Sequence, residues 1–215
     1  MFWDLLTEAQ RDAVRDAADL RTWARGDLLM RQGDRARWVL VLISGFVKVI
    51  AVTPGGRDAV LALRGPGDIL GEMAAADGEP RSANVVAGTA TTAYWLSARR
   101  LNNLATRNNG IAPALWRTAV DRSRSADLRR IELTDGPGLT RVAVVIAELA
   151  DRFGRRTTDG VVIALDLSQD DIAGIVSASR ETVTRALRVL RADGAIATRR
   201  RQITVLRRDR LDAHR

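Results

Sequence analysis

The sequence predicts an α+β chain with a β-rich N-terminal half, one long helix and a C-terminal winged helix-turn-helix. Three observations carry this. Between Arg25 and Leu96, short apolar runs are cut repeatedly by Gly, Pro and Asp. From Ile111 to about Leu133 the pattern becomes helical and stays so. After Gly138 come a helix, a strand-like run, two short capped helices and a hairpin, in that order.

Along the chain, Thr7 to Ala18 reads as a short amphipathic helix with Ala9, Ala13, Val14 and Ala17 on one side. The breaks that follow are Gly26-Asp27, Gly33-Asp34, Ser44-Gly45, Pro54-Gly55-Gly56, Gly65-Pro66-Gly67-Asp68 and Asp77-Gly78. Turn signals at roughly 8–12-residue spacing indicate a β-sandwich or barrel. Within it, Phe46 to Val52 alternates only in part, as expected where both faces are partly covered. Ala98 to Leu104 forms a short helix. The long helix carries Ile111, Leu115, Ala119, Ala126 and Ile131 in one stripe, with a polar gap around Arg122 and Ser123. About 20 helical residues span roughly 30 Å, so the stripe serves either as a dimer seam, the favoured reading, or as packing on its own barrel. Thr134-Asp135-Gly136-Pro137-Gly138 reads as a hinge, because Pro and Gly stop the helix. Domains are expected at 1–108 (β-barrel), 109–136 (dimerisation helix and hinge) and 137–215 (winged helix-turn-helix).

Composition narrows the function. The 215 residues carry a net charge of +8 and no cysteine, which excludes disulfides, thiolate metal sites and thiol redox chemistry. The most apolar stretch, Trp38 to Val52, is interrupted by Ser44, Gly45 and Lys48 and cannot span a bilayer. The acidic and basic residues Asp4, Glu8, Arg11 and Asp12 occupy the place of a signal-peptide core, so a cytoplasmic location is expected. The only histidine is His214, and no carboxylate cluster has catalytic spacing, so no enzyme and no metal site is expected. From Ser179 to Arg215 eleven arginines face four acids, so nearly all the net charge lies at one end. That end suits a polyanion.

In that end, Ser168 is placed to cap Gln169–Val176, with Asp170 and Asp171 in the first turn, where the helix dipole favours acids. Ser177-Ala178 turns the chain, and Ser179 caps a second helix whose buried face is Val183, Ala186, Leu187 and Leu190. The other face presents Arg180, Glu181, Thr184, Arg185, Arg188 and Arg191. A basic helix face alone is as often a solvated surface. Here it follows a capped partner helix at helix-turn-helix spacing, mixes Arg with Glu in its first turn and precedes a basic wing. In such motifs the start of the second helix reaches base edges in the major groove. Arg180 and Arg185 can each pair with guanine, and Glu181 can accept from cytosine. Ser179, Thr182, Arg199, Arg200 and Arg201 suit phosphates, which position without reading sequence.

At these residues a resemblance becomes close. Leu-Ser-Gln-Asp-Asp-Ile-Ala (167–173) and Ser-Arg-Glu-Thr-Val-Thr-Arg-Ala-Leu (179–187) resemble the recognition region of the Crp–Fnr superfamily of bacterial transcription regulators. Arg31-Gln32-Gly33-Asp34, Gly45, Gly71-Glu72 and Pro80-Arg81-Ser82-Ala83 resemble a cyclic-nucleotide-binding domain. The likeness runs from about Trp23 to Leu206. It implies an N-terminal jelly roll that binds a cyclic nucleotide (cAMP or cGMP), and a homodimer on double-stranded DNA with an inverted-repeat site. It also implies an effector that biases the hinge near Asp135-Gly136-Pro137, and contact with RNA polymerase through the loop at Arg156–Gly160. Gly71, Glu72, Arg81, Ser82 and Ala83 would form the phosphate cassette: Arg81 on the cyclic phosphate, Glu72 on the ribose 2′-hydroxyl, Ser82 adding a phosphate contact. One departure stands out. Where the family's long helix offers adjacent Thr and Ser to the base, this chain has Ala126 and Asp127, with Ser123 and Ser125 nearby.

Other members of the family hold an iron–sulfur cluster or haem. The lack of cysteine and the terminal position of His214 exclude both as normally ligated. Two further readings stay open. The barrel could be a ligand-free or differently liganded scaffold, with Glu72 and Arg81 forming a buried ion pair that merely holds a turn. Alternatively, the chain could be a cyclic-nucleotide module whose basic end meets a non-DNA acidic partner.

Overall fold

A computed structural model describes residues 1–52, 58–163, 165–199 and 201–215, with side chains at all of these except 58 and 129–135. The expected break at Pro54-Gly55-Gly56 and the expected phosphate ligand Arg200 lie outside the described residues. The chain forms two compact units, residues 1–58 with 62–126, and residues 127–215 with 59–61.

The first unit opens with α1 (Glu8–Ala17), whose N-cap Thr7 exchanges hydrogen bonds with Gln10 in a capping box. Eight strands follow: β1 (Asp19–Trp23), β2 (Leu28–Met30), β3 (Trp38–Ser44), β4 (Val47–Val52), β5 (Asp58–Arg64), β6 (Ile69–Leu70), β7 (Asn84–Ala87) and β8 (Thr91–Ser97). They form two four-stranded sheets, ordered β1-β8-β3-β6 and β2-β7-β4-β5. Every register pairing between them that is defined is antiparallel. Between β6 and β7 sits a short helix, α2 (Glu72–Asp77); α3 (Ala98–Arg107) and α4 (Ile111–Asp135) follow β8.

The pleat explains why β3 is apolar along its length. Leu40 and Leu42 point into the space between the sheets with Leu29, Met30, Val47, Leu70, Val85, Ala87 and Ala93. Val39 and Val41 point to the other face, where Phe2, Leu6, Val14, Leu101, Ile111 and Ala114 cover the sheet. Both faces are dry, so alternation fails there for the reason expected of a doubly covered strand.

The long helix required a correction. Ile111 is fully buried, and Leu115 packs against the same cluster as Phe2 and Leu6. The N-terminal part of the expected seam is therefore core of its own domain. The open apolar face lies around Trp116, which is 74% exposed, flanked at helical spacing by Ala112, Ala119, Val120 and Ser123. Helix α4 also runs to Asp135, so the expected hinge narrows to Gly136-Pro137 before α5 (Gly138–Phe153).

The second unit packs α5, α6 (Gln169–Ile175) and α7 (Arg180–Ala192) around one core. Val142, Ile146, Ile172, Val183 and Leu190 are all nearly or wholly buried in it. A sheet ordered β11-β12-β10-β9 completes the unit, from β9 (Arg155–Thr157), β10 (Gly160–Ile163), β11 (Ile196–Arg199) and β12 (Gln202–Val205). A last helix, α8 (Arg208–Asp212), buries Leu211. Ser168 and Asp171 form a capping box at α6, and the Ser179 hydroxyl accepts from the Thr182 backbone at 3.2 Å to cap α7. Ser177 turns the chain between them with φ +49°.

Candidate nucleic-acid interface and effector pocket

The first two turns of α7 carry the expected base readers. Arg180 is 63% exposed, and one Nη lies 3.5 Å from an Asp170 carboxylate oxygen. Glu181 and Arg185 are exposed. The Glu181 carboxyl is held below its ordinary range, first by its own backbone N–H, then by the Ser179 hydroxyl and by the charges of Arg180 and Arg185. It is therefore an acceptor at neutral pH, as cytosine recognition needs. The Thr184 hydroxyl lies 2.8 Å from Gln169 Oε1, tying α7 to α6. Ser179 and Thr182 stand side by side, hydroxyl to hydroxyl at 3.2 Å.

The basic charge at this end is less free than its count implies. Arg207 pairs with Asp209, Arg208 with Asp151 and Asp212, and Arg215 with Asp212. Arg210 donates to the Asp193 carbonyl. These pairs fasten α8 and the chain end to the unit. In the wing, Arg201 adopts φ +59° and its Nε lies 2.8 Å from Asp166. A non-glycine residue in that region costs roughly 1–2 kcal/mol, and the ion pair helps hold it there. Among the described residues, Arg185 and Arg188 on α7 and Arg199 on the wing strand have no ion pair, in contrast to Arg180 and Arg201.

In the barrel, Gly71 caps α2 with φ +78°, and a Cβ there would fall 2.1 Å from Arg81 Nη1. Only glycine leaves room for that guanidinium. Arg81 is 4% exposed. Its Nη1 donates to the Gly71 carbonyl at 2.8 Å and its Nη2 to the Trp38 carbonyl. The guanidinium also lies over the Trp38 ring, 4.9 Å from its centroid. Its Nε is buried with no partner. Burial pushes the guanidinium below its ordinary value, while the charges of Glu72 and Asp34 pull it back up. Beside it opens a cavity of about 180 Å³, walled by Leu29, Met30, Asp34, Trp38 and Arg81 among others.

Glu72 does not pair with Arg81. Its carboxylate meets Arg122 of α4 at 2.5 Å, and Arg122 also donates to the Ile69 carbonyl at 2.6 Å. The notion that Glu72 and Arg81 hold one turn as an ion pair is thus replaced by two separate anchorages. Sequence reasoning missed Arg122, although the polar gap it makes in the α4 stripe was the available signal. Ser82 is exposed and Ala83 buried. Ala126 and Asp127 are exposed, and the Ser125 hydroxyl is spent on the Asp121 carbonyl at 2.8 Å. Among the described residues no cluster of metal-ligating side chains occurs, and no helix is long and apolar enough to cross a membrane.

A β jelly roll with a buried arginine in its cassette, followed by a winged helix-turn-helix, defines an effector-domain regulator. Comparison with known proteins agrees. Residues 20–108 match the cyclic nucleotide-binding domain model and residues 140–214 the Crp-like helix-turn-helix domain model. The CRP-like cAMP-activated global transcriptional regulator of Mycobacterium tuberculosis is 33% identical over 165 residues, covering 76% of this chain and 73% of that one. The cyclic AMP receptor protein of Thermus thermophilus is 30% identical, covering 82% and 78%. Among solved structures, FixK2 from Bradyrhizobium japonicum superposes with a TM-score of 0.81 at 24% identity over 91% of this chain and 96% of that one, a likeness of fold. The chain belongs to the Crp–Fnr family of transcription regulators.

Proposed function

We propose that this regulator binds double-stranded DNA as a homodimer over an inverted repeat, under control of a cyclic nucleotide, cAMP or cGMP, held at Arg81. The observation that carries the effector reading is the state of that arginine. A buried guanidinium with an unbonded Nε and, among the described residues, no carboxylate in ion-pair contact is costly, because the charges of Glu72 and Asp34 offset its burial only in part. A phosphate supplies both the charge and the missing acceptor. Gly71 adjoins the Arg81 guanidinium, Ser82 and Ala83 follow it in the chain as the remaining cassette residues of this reading, and Glu72, held by Arg122, is assigned as acceptor for a sugar hydroxyl. The relatives named for cAMP favour the same ligand class.

Arg180, Glu181 and Arg185 read bases; Ser179, Thr182, Arg199, Arg200 and Arg201 hold phosphates. Effector binding acts as a population shift between conformers that differ at Gly136-Pro137. The turn at Thr158-Asp159-Gly160 offers an exposed contact to RNA polymerase, which loss of activated transcription on Asp159→Ala would reveal. The effector claim is tested by calorimetric titration of cAMP and cGMP into the chain and into Arg81→Ala. Binding to the parent and none to Arg81→Ala is expected. Absence of heat with either nucleotide would leave the barrel a ligand-free or differently liganded scaffold.

A further inference from the structure

Gly138 is the first residue of α5, and it lies against Thr182 in the first turn of α7. A Cβ at position 138 would fall 2.2 Å from the Thr182 Cγ2, closer than carbon atoms approach without something moving. The backbone does not call for glycine here. Gly138 is absent from the positive-φ residues, and at an ordinary helical position alanine is the more stable choice. Space is what demands it.

Thr182 is poorly placed to yield. Its β-branched side chain has few rotamers in a helix. Its hydroxyl lies 3.2 Å from the Ser179 hydroxyl and its backbone N–H donates to the same atom. The next residue, Val183, is fully buried, and Ala186 and Leu187 are nearly so. A side chain at 138 would therefore push on the whole first turn of α7 rather than on one loose methyl. That turn carries Arg180 and Glu181.

We propose that Gly138 is a positioning residue for base reading: its bare Cα lets the first turn of α7 sit flush on the start of α5, and so sets where Ser179, Arg180 and Glu181 stand over the bases. The inference rests on the DNA-reading role given above. Its test compares the full chain with Gly138→Ala, Thr182→Ser and the double variant. Each binds a duplex enriched by the parent chain and a scrambled duplex, and thermal melting is recorded alongside. Gly138→Ala is expected to lower the preference for the enriched duplex about tenfold, a decade being 1.4 kcal/mol, with any fall in melting temperature restored by Thr182→Ser. Introduced into Thr182→Ser, which lacks the obstructing methyl, the same change is expected to alter preference by less than about twofold, the usual limit for uncoupled sites. An unchanged preference in Gly138→Ala, or an equal loss in both backgrounds, overturns the inference. So does a large drop in melting temperature that Thr182→Ser fails to reverse, because glycine would then be needed for folding alone. A parent chain that prefers no duplex overturns the DNA-reading role itself, and that result is visible before any variant is made.

Discussion

Arg180 and Arg185 share a helix but not an environment. Arg180 has an Asp170 carboxylate 3.5 Å away, whereas Arg185 has no ion pair among the described residues. An exposed pair of this kind adds at most about 1 kcal/mol to stability, so its consequence is for orientation rather than folding. Replacing Arg180 by alanine should cost roughly 1–3 kcal/mol of discrimination at a single base, read as a flattened preference at one position in a binding-site selection. Sequence alone could place Arg180, Glu181 and Arg185 on the exposed face of α7, because caps and helical periodicity are local. It could not name Asp170 as the neighbour of Arg180, nor Arg122 as the partner of Glu72, fifty positions away along the chain. Arg122→Ala strands a Glu72 side chain that is only 11% exposed. The cost should be about 1–3 kcal/mol, below that of a fully buried pair, and a lowered midpoint in denaturant unfolding would record it.

At the scale of elements, the wing and α2 show where local pattern stops being informative. The hairpin of β11 and β12 was legible, since an apolar run, a basic turn and a second apolar run mark it. β1 was not, because four of its five residues are exposed and it is held by register with β8 rather than by an apolar face. α2 escaped for another reason: six residues are too few for a helical period to show. The wing also separates two kinds of arginine. Arg199 has no ion pair among the described residues, so Arg199→Ala should weaken binding to all sequences alike and reduce the salt slope by about one. Arg201 is held by Asp166 at 2.8 Å, so Asp166→Asn should free it and tighten binding to any duplex. A salt titration with an enriched and a scrambled duplex checks both, and a base-specific effect from either variant would contradict the assignment.

For the whole molecule, the two-domain order of barrel and reader was evident from turn spacing and capping signals, and the family match bears it out. The sequence stripe put the open apolar face of α4 in the wrong place at the start of the helix. At Ile111 and Leu115 the expected stripe closes the chain's own core, leaving Trp116 outside. A tryptophan 74% exposed beside Ala112 and Val120 is a costly surface in water. Trp116→Glu should therefore turn a dimer into a monomer by light scattering, with little loss of melting temperature. Symmetric base reading by two copies of α7 is the central feature of the proposed function. Selection of bound duplexes from a random pool, with and without cAMP, examines that directly. An enriched inverted repeat, with half-sites centred about 10 base pairs apart, is the predicted result, and enrichment of no sequence, or of a single unrepeated half-site, would contradict it.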